Sequence, residues 1–86
     1  MTKLRNEQET YSRNIGFDML ISYDASKRTE YVGLAYTGAK SSSASWSIYK
    51  LTYDVTSGGV DTRRYADGTD DFTKIWDSRT TYDYTP

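Results

Sequence analysis

The residues of this chain that could support chemistry are mainly carboxylates, and three of them lie in one glycine-containing turn. Asp67, Asp70 and Asp71 flank Gly68, and carboxylate oxygens are ligands that Ca²⁺ prefers. The spacing differs from that of an EF-hand loop, and no glutamate follows where that loop supplies its bidentate ligand. Aspartate beside glycine usually forms turns and caps. The sequence therefore predicts neither a metal site nor a cofactor.

Side chains suited to covalent catalysis are scarce. The 86 residues include no histidine and no cysteine, which excludes a serine-hydrolase triad in its usual form, a disulfide and a Cys/His zinc site. Two aspartates, such as Asp54 and Asp61, could form the carboxylate pair of a glycosidase. That reaction needs a deep cleft, which a domain of this size offers poorly. We expect no enzymatic activity.

Aromatic side chains are the commonest recognition groups. Nine tyrosines and two tryptophans accompany the pair Arg63-Arg64, and such rings can stack on bases or sugars. The same rings also build thin β cores and subunit interfaces, which is the simpler interpretation. Arg63, Arg64 and Arg79 are expected to form salt bridges or interface hydrogen bonds.

The charge balance argues against two classes of partner. A formal net charge of −1 provides no bulk attraction to nucleic acid or anionic lipid. No apolar run approaches the ~18 residues of a membrane span, and the first residues lack a signal-peptide core. We expect a soluble product made in the cytoplasm, with neither a nucleic acid nor a membrane as its partner.

The length allows one domain, which we divide into an N-terminal arm (1–16) and a β domain (17–86). A chain this short buries only about 60–65% of its unfolded surface. The arm has few large apolar side chains, and Leu4, Tyr11 and Ile15 fit one side of a helix. Because so thin a stripe cannot stabilise an isolated helix, the arm, helical or extended, is predicted to order only against a partner through these three residues.

Beyond the arm the pattern is typical of β-strands. An apolar run over 17–23 ends in a polar turn, residues 29–37 alternate, and residues 44–55 carry bulk on both faces. Gly33 and Ala35 share one face of the second strand. Two small residues there predict that a large side chain, a tryptophan in particular, packs closely against them.

The second half contains the turn signals. Paired glycines at 58–59 predict a hairpin, and the polar strand that follows over 60–66 suits a sheet edge. The spacing of Phe72, Ile75 and Trp76 predicts one short helical or 3₁₀ turn.

Asp70 or Asp71 is expected to cap that turn, and residues 79–84 are predicted to form a closing strand. The whole pattern predicts an all-β fold: a small antiparallel sandwich or open barrel of about five strands.

The residues predicted to build the core or a subunit interface are large and mostly apolar, with one arginine. They are Tyr31, Trp46, Ile48, Leu51, Tyr53, Phe72, Ile75, Trp76 and Arg79.

Two stretches of the chain form a recognisable pattern. The first comprises the segment 30–35, Gly38, a serine/alanine loop and the segment 46–54, which begins Trp-Ser-Ile-Tyr-Lys-Leu. The second comprises 66–68, Phe72 and the segment 75–79, which reads Ile-Trp-Asp-Ser-Arg. Together they span roughly 29–84 and resemble a short module that is frequent in the structural gene regions of tailed bacteriophages. The arm lies outside the resemblance.

What the resemblance implies is a small β-rich virion component without a cofactor, in which the quoted residues have structural roles. We therefore predict a bacteriophage virion structural protein that is a non-enzymatic adaptor, decoration or tail/fibre-attachment subunit. Its location would be the virion, and its partners other virion proteins or further copies of itself.

Two alternatives stay open. One is a receptor- or glycan-binding module of a tail fibre, with Trp46, Trp76 and exposed tyrosines as stacking platforms. The other is a small early-expressed regulator of a host protein.

Overall fold

A computed structural model of the protein describes residues 8–12 and 17–85. This part of the chain contains six β-strands and two 3₁₀ turns. The strands are β1 (Gln8–Ser12), β2 (Phe17–Tyr23), β3 (Thr29–Tyr36), β4 (Ala44–Tyr53), β5 (Val60–Tyr65) and β6 (Lys74–Ile75), and the 3₁₀ turns are Ala66–Gly68 and Trp76–Thr81. The sheet order is β1-β2-β3-β4-β5, and the short β6 pairs with the start of β4. All pairings are antiparallel, so the prediction of an all-β antiparallel fold of about five strands is confirmed.

The connections between the central strands follow the turn chemistry of the sequence. Between β2 and β3, Asp24 Oδ1 accepts the backbone N–H groups of Ser26 at 2.8 Å and Arg28 at 2.9 Å. Between β4 and β5, the N–H of Gly58 donates to the carbonyl of Asp54 at 2.8 Å, and Gly58 has a φ of +78°. The paired glycines therefore form the predicted hairpin, because positive φ is inexpensive for glycine. As predicted, β5 lies at a sheet edge.

The sheet has two faces with different surroundings. The covered face carries the buried cluster. The chain after β5, residues 66–85, which we call the C-terminal segment, contributes Ala66 and Trp76 to it. The sheet's own members of that cluster are Leu20, Tyr31, Ala35, Trp46 and Ile48. The open face is formed by the side chains that alternate with these: Met19, Ile21, Val32, Leu34, Tyr49 and Leu51. Instead of a second sheet, irregular chain forms the second layer in the part that the structure describes.

The close packing predicted at the small residues of β3 is present. A Cβ built on Gly33 would lie 2.6 Å from Cε3 of Trp76 and 3.1 Å from Cε3 of Trp46. Ala35, Trp46 and Trp76 are all at most 1% exposed. The centre of the core is thus two indole rings against a glycine.

The predicted helical or 3₁₀ turn over residues 72–76 is wrong, since a 3₁₀ turn begins only at Trp76. Lys74 and Ile75 are instead extended and pair with Trp46 and Ala44 as β6, and no aspartate caps a helix there. The apolar side chains separate: Trp76 enters the core, while the ring of Phe72 lies 6.1 Å from that of Phe17. An i, i+3, i+4 pattern over five residues cannot specify a helix when an unpaired strand end is available nearby.

The predicted closing strand over 79–84 is also wrong. Residues Trp76–Thr81 form a 3₁₀ turn, and residues 82–85 after it belong to no strand. Two tyrosine hydroxyls hold this stretch in place. The hydroxyl of Tyr82 accepts the backbone N–H of Ile75 at 2.8 Å, and the hydroxyl of Tyr84 donates to the carbonyl of Arg79 at 2.7 Å. Side-chain hydrogen bonds here replace the strand ladder.

Part of the predicted arm is a strand of the same sheet. β1 pairs with β2, so that Tyr11 lies opposite Met19 in the register. Leu4 and Ile15, the other two predicted arm contacts, lie outside the described residues.

Candidate interaction surfaces

The two tryptophans are core residues of the covered face. Their ring centroids lie 6.1 Å apart with the planes at 45°. Trp46 donates its Nε1–H to the carbonyl of Lys40 at 2.9 Å, whereas Nε1 of Trp76 is buried with no hydrogen-bond partner within the described chain. Since neither ring is more than 1% exposed, neither can stack on a ligand unless the core opens.

Arg79 is built into this core from the 3₁₀ turn. Its guanidinium carbon lies 4.7 Å from the ring centroid of Trp76, and its terminal nitrogens donate to the carbonyl of Trp76 and to Ser22 Oγ, both at 3.3 Å. The ion pair of the described chain joins Arg28 to Asp24, so Arg79 has no carboxylate partner there. Its planar guanidinium covers the indole of Trp76 and donates hydrogen bonds to two neighbouring groups.

The remaining predicted core or interface residues are half-buried and scattered. Leu51 lies on the open face opposite Arg63 of β5. Tyr53 donates to the carbonyl of Thr29 at 2.5 Å and carries the guanidinium of Arg28 at 4.4 Å from its ring centroid. Ile75 lies in β6. The structure brings Tyr31, Trp46, Ile48 and Trp76 together in one buried cluster.

The open face carries a row of apolar and aromatic side chains across four strands, three of them half-buried and Val32 only 4% exposed. Ile21, Val32, Tyr49 and Tyr65 are consecutive neighbours from β2 to β5. The rings of Tyr49 and Tyr65 meet edge to face at 5.5 Å, and Arg63 lies 5.2 Å from the Tyr49 centroid. Burial raises the pKa of Tyr49, although Arg63 opposes the shift.

At one end, the open face continues into an aromatic group. The ring of Tyr36 stacks on that of Phe17 at 5.0 Å and lies 5.2 Å from that of Phe72, yet Tyr36 is 62% exposed. At the other end, the hairpin exposes Val55 and Val60. Large apolar side chains therefore reach solvent at both ends of the sheet.

A concave site of about 310 Å³ lies on the other side, between the C-terminal segment and the β4–β5 hairpin; we call it the β4–β5 pocket. Its floor carries Lys50 of β4 and Arg64 of β5, which are directly opposed in the sheet register. Its walls carry tyrosine rings and threonine hydroxyls together with one carboxylate, Asp83. The rings are Tyr31, Tyr82 and Tyr84, and the threonines are Thr52, Thr80 and Thr85.

The charged groups of this pocket are not paired with one another. No carboxylate of the described chain lies within 4.0 Å of Lys50 or Arg64, and Lys50 Nζ instead lies 5.6 Å from the ring centroid of Tyr31. Asp83 Oδ1 accepts the N–H of Thr85 at 2.9 Å and its hydroxyl at 2.6 Å, and these hydrogen bonds lower the pKa of Asp83. Within the described chain, the pocket thus contains two cationic side chains without an ion-pair partner, Lys50 and Arg64, and one carboxylate, Asp83, held by hydrogen bonds to Thr85.

The acidic turn does not assemble a metal site. No group of three or more potential metal-ligating side chains comes together among the residues that the structure describes. Asp67 instead forms turn contacts: its Oδ1 accepts the N–H of Asp83 at 3.0 Å, and its N–H donates to the carbonyl of Asp83 at 2.6 Å. In the same part of the chain, no helix is long and apolar enough to cross a membrane.

Comparisons with known proteins add no identification. No family model, curated protein or solved structure matches this chain. The resemblance to a phage module therefore stays a prediction from the residues quoted above.

Sequence reasoning did not find the β4–β5 pocket. One signal was present: a hairpin centred on the paired glycines places Lys50 close to Arg64 across two strands. The walls had no comparable signal, because the 3₁₀ turn that brings the last tyrosines over the sheet was predicted to be a strand.

Proposed function

We propose that this protein is a non-enzymatic subunit of a larger assembly, and specifically a bacteriophage virion structural protein acting as an adaptor, decoration or tail/fibre-attachment subunit. The observation that carries the proposal is the open face. Its side chains are apolar over several strands, and, Phe72 excepted, the C-terminal segment packs on the opposite side. A contiguous apolar surface of this kind usually marks a protein–protein contact.

The partner we propose is another virion protein or a further copy of this chain. The centre of the open face is apolar, while Arg63 and Tyr65 lie at its β5 edge, as expected of an interface with an apolar middle and a polar rim. The resemblance over residues 29–84 supports a virion location. A thin core also fits a chain that gains stability by association.

The direct test is mass spectrometry of intact, purified particles of the phage that encodes the chain. Stoichiometric copies of the protein in the particle are expected. If particles infect normally and contain none, the virion assignment fails.

A pair of variants tests the surface itself. Leu51→Glu places a carboxylate on the open face directly opposite Arg63, where a cross-strand ion pair compensates within the subunit. The matched control is Ala25→Glu, the same charge change at an exposed residue of the β2–β3 turn. Leu51→Glu is expected to reduce incorporation into particles, or self-association, at least ~tenfold, and Ala25→Glu to leave it unchanged. Equal incorporation of both folded variants would exclude the open face as the contact.

The receptor- or glycan-binding alternative loses its two tryptophan platforms, since Trp46 and Trp76 are buried, and keeps the exposed tyrosines. Aromatic rings other than the tryptophans would have to serve it.

A further inference from the structure

The β4–β5 pocket has an electrostatic feature that the fold alone does not require. Lys50 and Arg64 are directly opposed neighbours on adjacent strands, and like charges in that position destabilise a sheet. In the described chain neither cation has an ion-pair partner. A bound anion between them would remove the repulsion and gain charge-assisted hydrogen bonds.

The walls of the pocket suit a ligand that is more than a simple anion. The half-buried rings of Tyr82 and Tyr84 offer apolar faces, whereas Tyr31 is only 7% exposed, and the threonine hydroxyls offer donors and acceptors. Asp83 Oδ1 already accepts from Thr85, so its Oδ2 is the acceptor left for a ligand hydroxyl. Its charge repels every anion, and a doubly charged phosphate more strongly than a singly charged carboxylate. The combination fits a molecule that has one carboxylate, several hydroxyls and an apolar ring face.

The size of the pocket limits the ligand. A volume of about 310 Å³ lies at the lower end of the range of roughly 300–1,000 Å³ for small-molecule sites. It is enough for a small ring with its substituents.

We propose that the β4–β5 pocket binds a carboxylated sugar unit, with the carboxylate between Lys50 and Arg64, the ring against the tyrosines and the hydroxyls near Asp83 and the threonines. The unit could be free or part of an acidic polysaccharide. This site is separate from the open face, so it adds a ligand to the proposed subunit and does not depend on the assembly contact.

Binding is measured on the full chain by two-dimensional amide NMR with sodium glucuronate at millimolar concentration and constant ionic strength. Shifts are expected at Lys50, Thr52, Arg64 and residues 80–85. Glucose tests the need for the carboxylate, and sodium acetate and inorganic phosphate test the need for the ring. Each of these three is expected to bind at least tenfold more weakly than glucuronate. A glucuronate-containing oligosaccharide that shifts the same amides would show that the pocket also binds the glucuronate unit within a polymer.

Charge-neutralising variants locate the site. Lys50→Gln and Arg64→Gln are each expected to weaken glucuronate binding at least tenfold, while Lys40→Gln, the same change at an exposed lysine outside the pocket, leaves it unaltered. Amide dispersion and melting temperature confirm that each variant is folded. The proposal is overturned by an absence of shifts, by equal binding of glucose, or by phosphate or acetate binding as well as glucuronate. None of these outcomes bears on whether the protein is found in particles.

Discussion

Trp76 lies so close to Gly33 that no side chain fits between them: a Cβ at position 33 would be 2.6 Å and 2.8 Å from Cε3 and Cζ3 of the indole. The ring is fully buried, and Arg79 lies over it. Glycine is therefore required in the middle of β3 for a packing reason, despite the entropic cost of glycine within a strand.

Gly33→Ala is expected to destabilise the protein by about 3 kcal/mol, the upper end of the range for overpacking a core, because the indole has no free space to move into. Urea denaturation followed by far-UV circular dichroism measures the loss. Gly59→Ala is the matched control: its Cβ would lie 3.6 Å from Ser57 Oγ, an ordinary contact, so a change below about 1 kcal/mol is expected there. Similar losses in both variants would contradict the packing argument.

A second variant separates packing from backbone effects. In a Trp76→Phe background the smaller ring leaves room at position 33, so Gly33→Ala should cost at least ~1 kcal/mol less than in the wild type. If the unfolding free-energy changes of the two substitutions were strictly additive, the contact between Gly33 and Trp76 would not be the cause of the destabilisation.

The two tryptophans should differ in the cost of replacement. Trp46→Phe removes the same volume as Trp76→Phe but also the hydrogen bond from Nε1 to the carbonyl of Lys40, whereas Nε1 of Trp76 has no partner among the described residues. Trp46→Phe is therefore expected to reduce the free energy of unfolding by about 1 kcal/mol more than Trp76→Phe. Chemical denaturation of both variants measures the difference, and a reversed order would contradict the assignment of the orphaned N–H.

Stability should fall at alkaline pH because of Tyr84. Burial, aided by the neighbouring Tyr31, Tyr82 and Asp67, raises the pKa of Tyr84 far above its ordinary value of 10.0. The neutral phenol then contributes stability in full below pH 10, and this contribution is lost as the pH rises above 10, where the unfolded state ionises and the folded state resists it.

The measurement is urea denaturation at several pH values between 8 and about 11. Tyr84→Phe should show a shallower decline above pH 10 than the wild type, with Tyr49, whose pKa is also raised by burial, contributing to the remaining slope. At neutral pH the variant should lose about 1 kcal/mol, because the hydroxyl no longer donates to the Arg79 carbonyl. Parallel declines in the two proteins would rule out this role for Tyr84.

Lys27 offers a stabilising substitution. Its φ is +68°, a left-handed conformation that costs a non-glycine residue roughly 1–2 kcal/mol. Lys27→Gly should therefore stabilise the fold by about 0.5 kcal/mol after the entropic cost of glycine is subtracted. Ala25→Gly in the same turn is the control, since Ala25 has no positive φ, and it should be neutral or destabilising. The melting temperatures of both variants test this. A lower melting temperature for Lys27→Gly than for the wild type would show that the backbone at position 27 is not strained.

Much of the sheet was predictable because its signals are local. The alternation in β3, the apolar run of β2 and the paired glycines after β4 specify strands and a hairpin from residues close in sequence. Even the packing of a tryptophan on Gly33 followed from two small residues on one face.

Only the tertiary structure decided the role of the C-terminal segment. Residues 72–76 are only five, which is too short for the spacing of apolar side chains to distinguish a strand from a turn. Their conformation depends instead on the strand end that β6 pairs with and on the space beside Gly33 that Trp76 fills. The same long-range contacts bring the last tyrosines over Lys50 and Arg64 and, within residues 8–12 and 17–85, leave the opposite face of the sheet without a second layer. Local sequence thus determined the strands, whereas contacts between residues far apart in the chain determined which face is covered and where a pocket forms.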